Sequence, residues 1–255
     1  MSHSSYNPSI GRRRRRAITV GLLLGMSLGA LEATVVGTAM PTVIATLGGL
    51  AHYSWVFAAY LLTSTASVPI WGRLSDLYGR RRLYLAGILT FVVGSALSGA
   101  AASMTQLIVF RALQGLGAGA VIPLSMTIVG ELYALEERAR AQALFSGVWG
   151  IASIAGPLVG GYITDTLSWR WVFLLNLPFG IPAMVVIALA YPPGARTTAA
   201  RVDWAGATFL FCGVTALLIA VGDVTPVVWP WLVVAVVLLA VFALAEKRTP
   251  DPILP

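Results

Sequence analysis

The chain has 255 residues, 58% of them hydrophobic and only 11% charged, with 17 Lys and Arg against 10 Asp and Glu. A water-soluble fold carries about 25% charged residues to cover its core, so this composition excludes a soluble domain and calls for a bilayer. The net charge of +7 could suggest nucleic-acid binding, but the arginines follow membrane topology, and no nucleic-acid partner is expected. A lone cysteine, Cys212, allows no intrachain disulfide, and His3 and His52 have no neighbours at metal-ligand spacing, so no metal is expected.

Residues 1–16 form a basic N-terminal segment ending in the run Arg12 to Arg16. The apolar run after it is too long for a signal peptide and lacks a small-residue cleavage site, so the arginines are read as an anchor to the inner leaflet or to anionic lipid. A bilayer core about 30 Å thick takes about 20 apolar residues per helix, and eight such runs follow. They are Ala17 to Leu47, Tyr53 to Trp71, Leu83 to Ala102, Gln106 to Val129, Ala141 to Ile163, Trp171 to Tyr191, Trp204 to Val221 and Trp229 to Ala245. Their apolar character is continuous rather than alternating, which predicts helices and not barrel strands. Placing the N-terminus inside puts 15 of the 17 basic residues in inner segments, so both termini are expected to be cytoplasmic. Tyr53, Trp55, Trp71, Trp169, Trp171, Tyr191, Trp204, Trp229 and Trp231 fall at or near span ends, where interfacial aromatics belong.

Two ionisable side chains lie deep within these spans. Glu32 is 15 residues from the start of span one, about 22 Å from the cytoplasmic side. Arg111 lies near the outer start of span four, about 8 Å down, which is the same depth in a 30 Å core. If spans one and four are adjacent, the two side chains meet. The guanidinium stays charged at any relevant pH, whereas the carboxylate can take up a proton or a cation as its surroundings change. A static pair that only orients helices is the alternative.

Glycine and proline mark the loop and the helix that follow. Gly72-Arg-Leu-Ser75-Asp76 with Arg81 aligns without gaps to Gly161-Tyr-Ile-Thr164-Asp165 with Arg170, at a constant offset of 89. The two segments fall on opposite membrane sides, as two inverted three-helix repeats require. Span four continues Gln114-Gly115-Leu-Gly117-Ala-Gly119; inside an apolar helix this is no nucleotide loop. Span five carries Gly147, Gly156-Pro157 and Gly160-Gly161, which favour a bend and close helix approach. Trp149, about 13 Å into that span, could stack on a flat cation or simply pack. No nucleophile, base and orienting group share one depth, so an enzyme is not expected.

The expected architecture is an all-α membrane protein. A six-helix bundle of two inverted three-helix repeats spans residues 17–191, a cytoplasmic loop 192–203, two additional helices 204–245, and a tail 246–255, truncated by expectation.

Taken together, these segments resemble the major facilitator superfamily, and in particular its drug:proton antiporter branch with fourteen helices. Gly72-Arg-Leu-Ser75-Asp76-Leu-Tyr-Gly79-Arg80-Arg81-Arg82 is similar to the superfamily's cytoplasmic loop signature. Arg111-Ala-Leu-Gln114-Gly115 resembles its buried-arginine motif, and the stretch ending Gly156-Pro157-Leu-Val-Gly160-Gly161 its antiporter motif. Trp169-Arg170-Trp171-Val-Phe173-Leu-Leu-Asn176-Leu-Pro178 and Asp203-Trp-Ala-Gly206 resemble the fourteen-helix branch.

The resemblance implies that Arg111 couples proton movement together with Glu32, and that Gly147, Gly156, Pro157, Gly160 and Gly161 form a hinge favouring exchange. It implies that Gly72, Asp76, Gly79, Arg80 and Arg81 form a gating loop; Glu32 and Gln114 are expected to line a substrate cavity, with Trp149 as a hypothesised cavity aromatic whose alternative is plain packing. Span one departs from the pattern, with Glu32 and Gly37 where the family has Asp and Asn. Export of lipophilic or cationic drugs from the plasma membrane, driven by a proton gradient with no other cofactor, is the implied activity. A nutrient transporter, or a non-transporting half that serves as an assembly partner, is the alternative. Fourteen helices need a second half, so the missing C-terminal part or a second polypeptide is an expected partner.

Overall fold

A computed structural model describes residues 10–193, 203–221 and 227–246. Among the described residues it contains nine α-helices and no strand: α1 (Arg12–Leu47), α2 (Tyr53–Tyr78), α3 (Arg80–Ala100), α4 (Met104–Leu132), α5 (Leu135–Thr166), α6 (Arg170–Leu174), α7 (Leu177–Ala190), α8 (Trp204–Val221) and α9 (Trp229–Glu246). Every expected span is helical. Five are long and apolar enough to cross a membrane as single helices (α1, α3, α4, α5 and α8), α6 with α7 makes a sixth, and Trp229–Ala245 is a shorter apolar helix. α2 has 26 residues, but Ser54, Thr63, Ser64, Thr65 and Ser67 keep its apolar density lower.

Several boundaries differ from the sequence reading, among them that of α5, which starts at Leu135 rather than Ala141. α1 starts at Arg12 rather than Ala17, so the five arginines are helical; Arg is a good helix former, and helices extend beyond the hydrocarbon core. α2 likewise runs on from Trp71 to Tyr78, ending at Gly79, whose φ of 91° favours glycine and starts the turn into α3. The sixth run is not one helix. Its hydrogen-bond ladder is interrupted at Leu175 and Asn176, which keep helical dihedrals, because Pro178 has no N–H to continue it; Arg170–Ala190 still forms one span. His3, Arg196, Arg201, Lys247 and Arg248, with most of the 192–203 loop and the 246–255 tail, lie outside the described residues.

The packing obeys the inverted repeat. With α1, α2 and α3 exchanged for α4, α5 and α6–α7, the α2–α4 contact maps onto α5–α1, and α3–α4 onto α7–α1; all four pairs are in contact. The arginines of the aligned segments follow the same rule. Arg81, at the start of α3, donates to the Ala188 carbonyl near the end of α7. Arg170, at the start of α6, donates to the Gly99 and Ala101 carbonyls at the end of α3, at 3.0 and 2.6 Å. Each arginine thus satisfies carbonyls that a helix C-terminus leaves without partners.

Small residues set the helix spacing. A Cβ on Gly115 would lie 2.4 Å from the Tyr60 carbonyl oxygen of α2, and one on Gly117 2.3 Å from the Phe91 nitrogen of α3. α4 is therefore clamped by backbone contact on two faces, as membrane packing without a hydrophobic driving force favours. Thr63 Oγ1 and Trp71 Nε1 add hydrogen bonds from α2 to the Ala112 and Leu116 carbonyls of α4, both at 2.8 Å. α8 and α9 pack on each other, and Ile70 of α2 joins their Ala207, Leu210 and Phe242 cluster. Asp203 caps α8 by accepting from the Gly206 N–H at 2.8 Å.

Candidate functional site

The centre of the bundle holds a buried polar cluster drawn from four elements. Glu32 projects from α1, Arg111 and Gln114 from one turn of α4, Ser95 from α3, and Asn176 from the break between α6 and α7. All five are buried, with Glu32 4% and Arg111 2% exposed. The Glu32 carboxylate accepts from Arg111 Nη1, from Gln114 Nε2 at 2.6 Å and from Asn176 Nδ2 at 3.0 Å. Arg111 also donates to Gln114 Oε1 at 2.8 Å and, through Nε, to the Val56 carbonyl at 3.2 Å. Its guanidinium carbon lies 4.3 Å from the Tyr60 ring centroid and 5.8 Å from that of Phe173. Every charge is met by an opposite charge, a dipole or a ring face, which is what makes a pair this deep tolerable.

The break is part of the site. Phe173 loses its normal helical partner and accepts instead from the Asn176 N–H at 3.2 Å and from Ser95 Oγ at 2.8 Å. Asn176 Nδ2 in turn donates to Ser95 Oγ at 2.9 Å. Leu175 and Asn176 keep helical dihedrals, so the interruption is one of hydrogen bonding, and it is stable inside a span because protein groups re-satisfy the freed carbonyl. Asn176, Ser95 and Tyr60 are absent from the sequence reading as site residues, since neutral polar and aromatic side chains are common in spans. The available signal was Pro178, which interrupts an apolar run two residues after an asparagine.

Of the residues expected to line a substrate cavity, Glu32 and Gln114 meet in the cluster. Trp149 lies apart on α5, 39% exposed. A cavity of about 360 Å³ lies between α1, α5 and the break, lined by Ser27, Leu31, Ala152, Ala155, Leu175 and Phe179 among others. Leu31 and Leu175, which line this apolar space, are the chain neighbours of Glu32 and Asn176; Glu32, Gln114 and Trp149 are not among its lining residues.

The expected gating residues gather at the Arg12 end of the bundle. Asp76 is exposed and pairs with Arg80 at 3.3 Å; Arg80 also pairs with Glu131 of α4 at 2.5 Å, and Glu131 accepts from the Tyr191 hydroxyl at 2.7 Å. Gly72 sits half-buried before them and Gly79 supplies the turn. The expected hinge residues divide into two groups. Gly156 and Gly160 face α1, where a Cβ would meet Thr34 Oγ1 at 2.0 Å and Thr38 Oγ1 at 2.4 Å, while Gly147 and Gly161 face open space. α5 runs as one helix through Pro157.

Two inverted three-helix units around a buried charge cluster, built from helices long and apolar enough to cross a bilayer, define the class as a helical integral membrane protein. Residues 22–246 match the family model described as Major Facilitator Superfamily, and the chain belongs to that superfamily. It is 41% identical over 96% of its length to the Multidrug transporter protein MdtP of Bacillus subtilis (strain 168), covering 47% of that protein. It is 38% identical over 93% of its length to Multidrug resistance protein 3 of the same strain, covering 48%. The chain thus spans about half the length of the curated relatives it matches. Among solved structures, the POT family transporter PepTSo aligns with a TM-score of 0.65 at 15% identity, covering 95% of this chain and 55% of that one, a likeness of fold alone.

Proposed function

We propose that the chain is the N-terminal part of an exporter of lipophilic or cationic small molecules, driven by the proton gradient across the plasma membrane and working by alternating access. The observation that carries this reading is the Glu32 carboxylate, an ionisable group buried at the centre of the bundle against Arg111, with its chain neighbour Leu31 lining a cavity. A proton arriving from outside neutralises Glu32 and weakens its hold on a cationic cargo; its release inside restores the charge. Arg111 stays charged throughout and limits where the carboxylate can turn. The relatives named for multidrug transport and resistance support the substrate class.

In the same reading the termini face the cytoplasm, and Gly72, Asp76, Gly79, Arg80 and Arg81 form the inner gate, with Arg80 exchanging partners as it opens. Gly156 and Gly160, with Pro157 beside them, let α5 slide and bend against α1. The remainder of the cavity comes from a second half, on the same polypeptide or on another. Uptake of a fluorescent cationic dye into inverted vesicles, with and without an imposed pH gradient, tests the proposal. Accumulation that collapses with the gradient is expected. Gradient-independent accumulation, or none from the chain combined with a second half, contradicts it.

A further inference from the structure

We propose that Asn176 is a positioning residue that reports the protonation state of Glu32 to the break in the sixth span. The inference rests on the reading of Glu32 as the proton carrier. Its starting point is an orphan: Asn176 Oδ1 is buried without a hydrogen-bond partner, while its Nδ2 serves both Glu32 Oε2 and Ser95 Oγ. A buried acceptor left empty costs free energy and calls for a reason.

Protonation supplies one. Glu32 Oε1 faces the Arg111 guanidinium, so an arriving proton settles on Oε2. There the new O–H confronts two N–H donors, from Gln114 and from Asn176. One amide has to turn and offer its oxygen. Gln114 is held in place, because its Oε1 already accepts from Arg111 at 2.8 Å. Asn176 is tied only through its Nδ2, to Glu32 and Ser95, and its empty Oδ1 is the acceptor that the protonated acid lacks.

The turn has a consequence for the backbone. It takes Nδ2 away from Ser95 and brings Oδ1 near, and a hydroxyl with one proton then has two claimants, Asn176 Oδ1 and the Phe173 carbonyl. If Ser95 donates to Asn176, Phe173 keeps only its bond from the Asn176 N–H, and the break between α6 and α7 loosens. Proton uptake on α1 is thereby felt on the span that lines the cavity at Leu175 and Phe179. The charged and titratable groups facing Glu32 are Arg111 from α4 and Tyr60 from α2; α3 and the break present the neutral Ser95 and Asn176, so the relay competes with no second acid among the described residues.

Infrared difference spectra between alkaline and acid pH test the relay on the full chain in lipid, with asparagine 13C-labelled at its side-chain carbonyl. Asn7 is the only other asparagine in the chain, so Asn7→Gln leaves a single label without touching the cluster. A carboxyl band that is lost in Glu32→Gln is expected to rise on acidification, with the Asn176 carbonyl band shifting in step. In Asn176→Leu the carboxyl band is expected to persist on acidification while the labelled asparagine signal is lost, which keeps the carrier separate from the relay. A stationary asparagine band while the carboxyl titrates overturns the relay and leaves Glu32 as carrier. Absence of any Glu32-dependent carboxyl band removes the carrier itself, and the relay with it.

Discussion

At the scale of single residues, the cluster is organised around the cost of a charge without water. Glu32 and Arg111 satisfy one another and are supplemented by Gln114, Asn176 and the Val56 carbonyl. Removing one charge therefore strands the other. Arg111→Ala is expected to cost about 3–5 kcal/mol, seen as a lower melting temperature in detergent, whereas Gln114→Leu, which removes two hydrogen bonds to the pair but no charge, is expected to cost less. The charged half of the cluster was legible in the sequence, because an ionisable residue in an apolar run stands out and depth along two helices can be counted. The neutral half was not. Asn176 and Ser95 acquire their roles only when the helix break and α3 come together in space, and no spacing in the chain records that meeting.

At the scale of helices, glycines fall into two physical kinds that look alike in sequence. Gly115 and Gly117 face backbone atoms of neighbouring helices, and Gly156 and Gly160 face threonines, whereas Gly147 faces nothing within 4 Å. Gly115→Ala is accordingly expected to lose about 1–3 kcal/mol. Gly147→Ala should gain about 0.5–1 kcal/mol, since it removes backbone freedom from a helix interior at no steric cost. Thermal unfolding of the two variants side by side checks the contrast, and equal effects would contradict the assignment. The sequence identified the glycine-rich stretches as packing surfaces or hinges but could not say which members touch a neighbour, because helical phase relative to a partner is a tertiary property. The break in span six was also hidden, although Pro178 pointed to it.

At the scale of the molecule, the offset between the Gly72 and Gly161 segments turned out to be the most informative pattern in the chain. It anticipated that Arg81 and Arg170 would occupy equivalent places, and both satisfy carbonyls at the far end of the partner repeat's third span. The symmetry fixes which ends of the helices lie together, and in the proposed topology the arginine-rich ends face the cytoplasm. In a Cys212→Ser background, Glu136→Cys is expected to resist a membrane-impermeant maleimide added outside intact cells, and Thr166→Cys to react. Both positions are exposed at opposite ends of α5, so the reverse pattern inverts the topology. α5 presents Ile151, Ile154, Leu158 and Tyr162 outward, each about 70% exposed, a surface suited to lipid or to the second half that the proposed exporter needs.

The account depends on Glu32 giving up or taking up a proton as cargo arrives. Proton release on adding a cationic dye to the purified, weakly buffered protein measures this directly. Wild type is expected to acidify the medium on binding and Glu32→Gln to bind without acidification. Equal release from both would contradict the account, because the exchanged proton would then come from elsewhere in the chain.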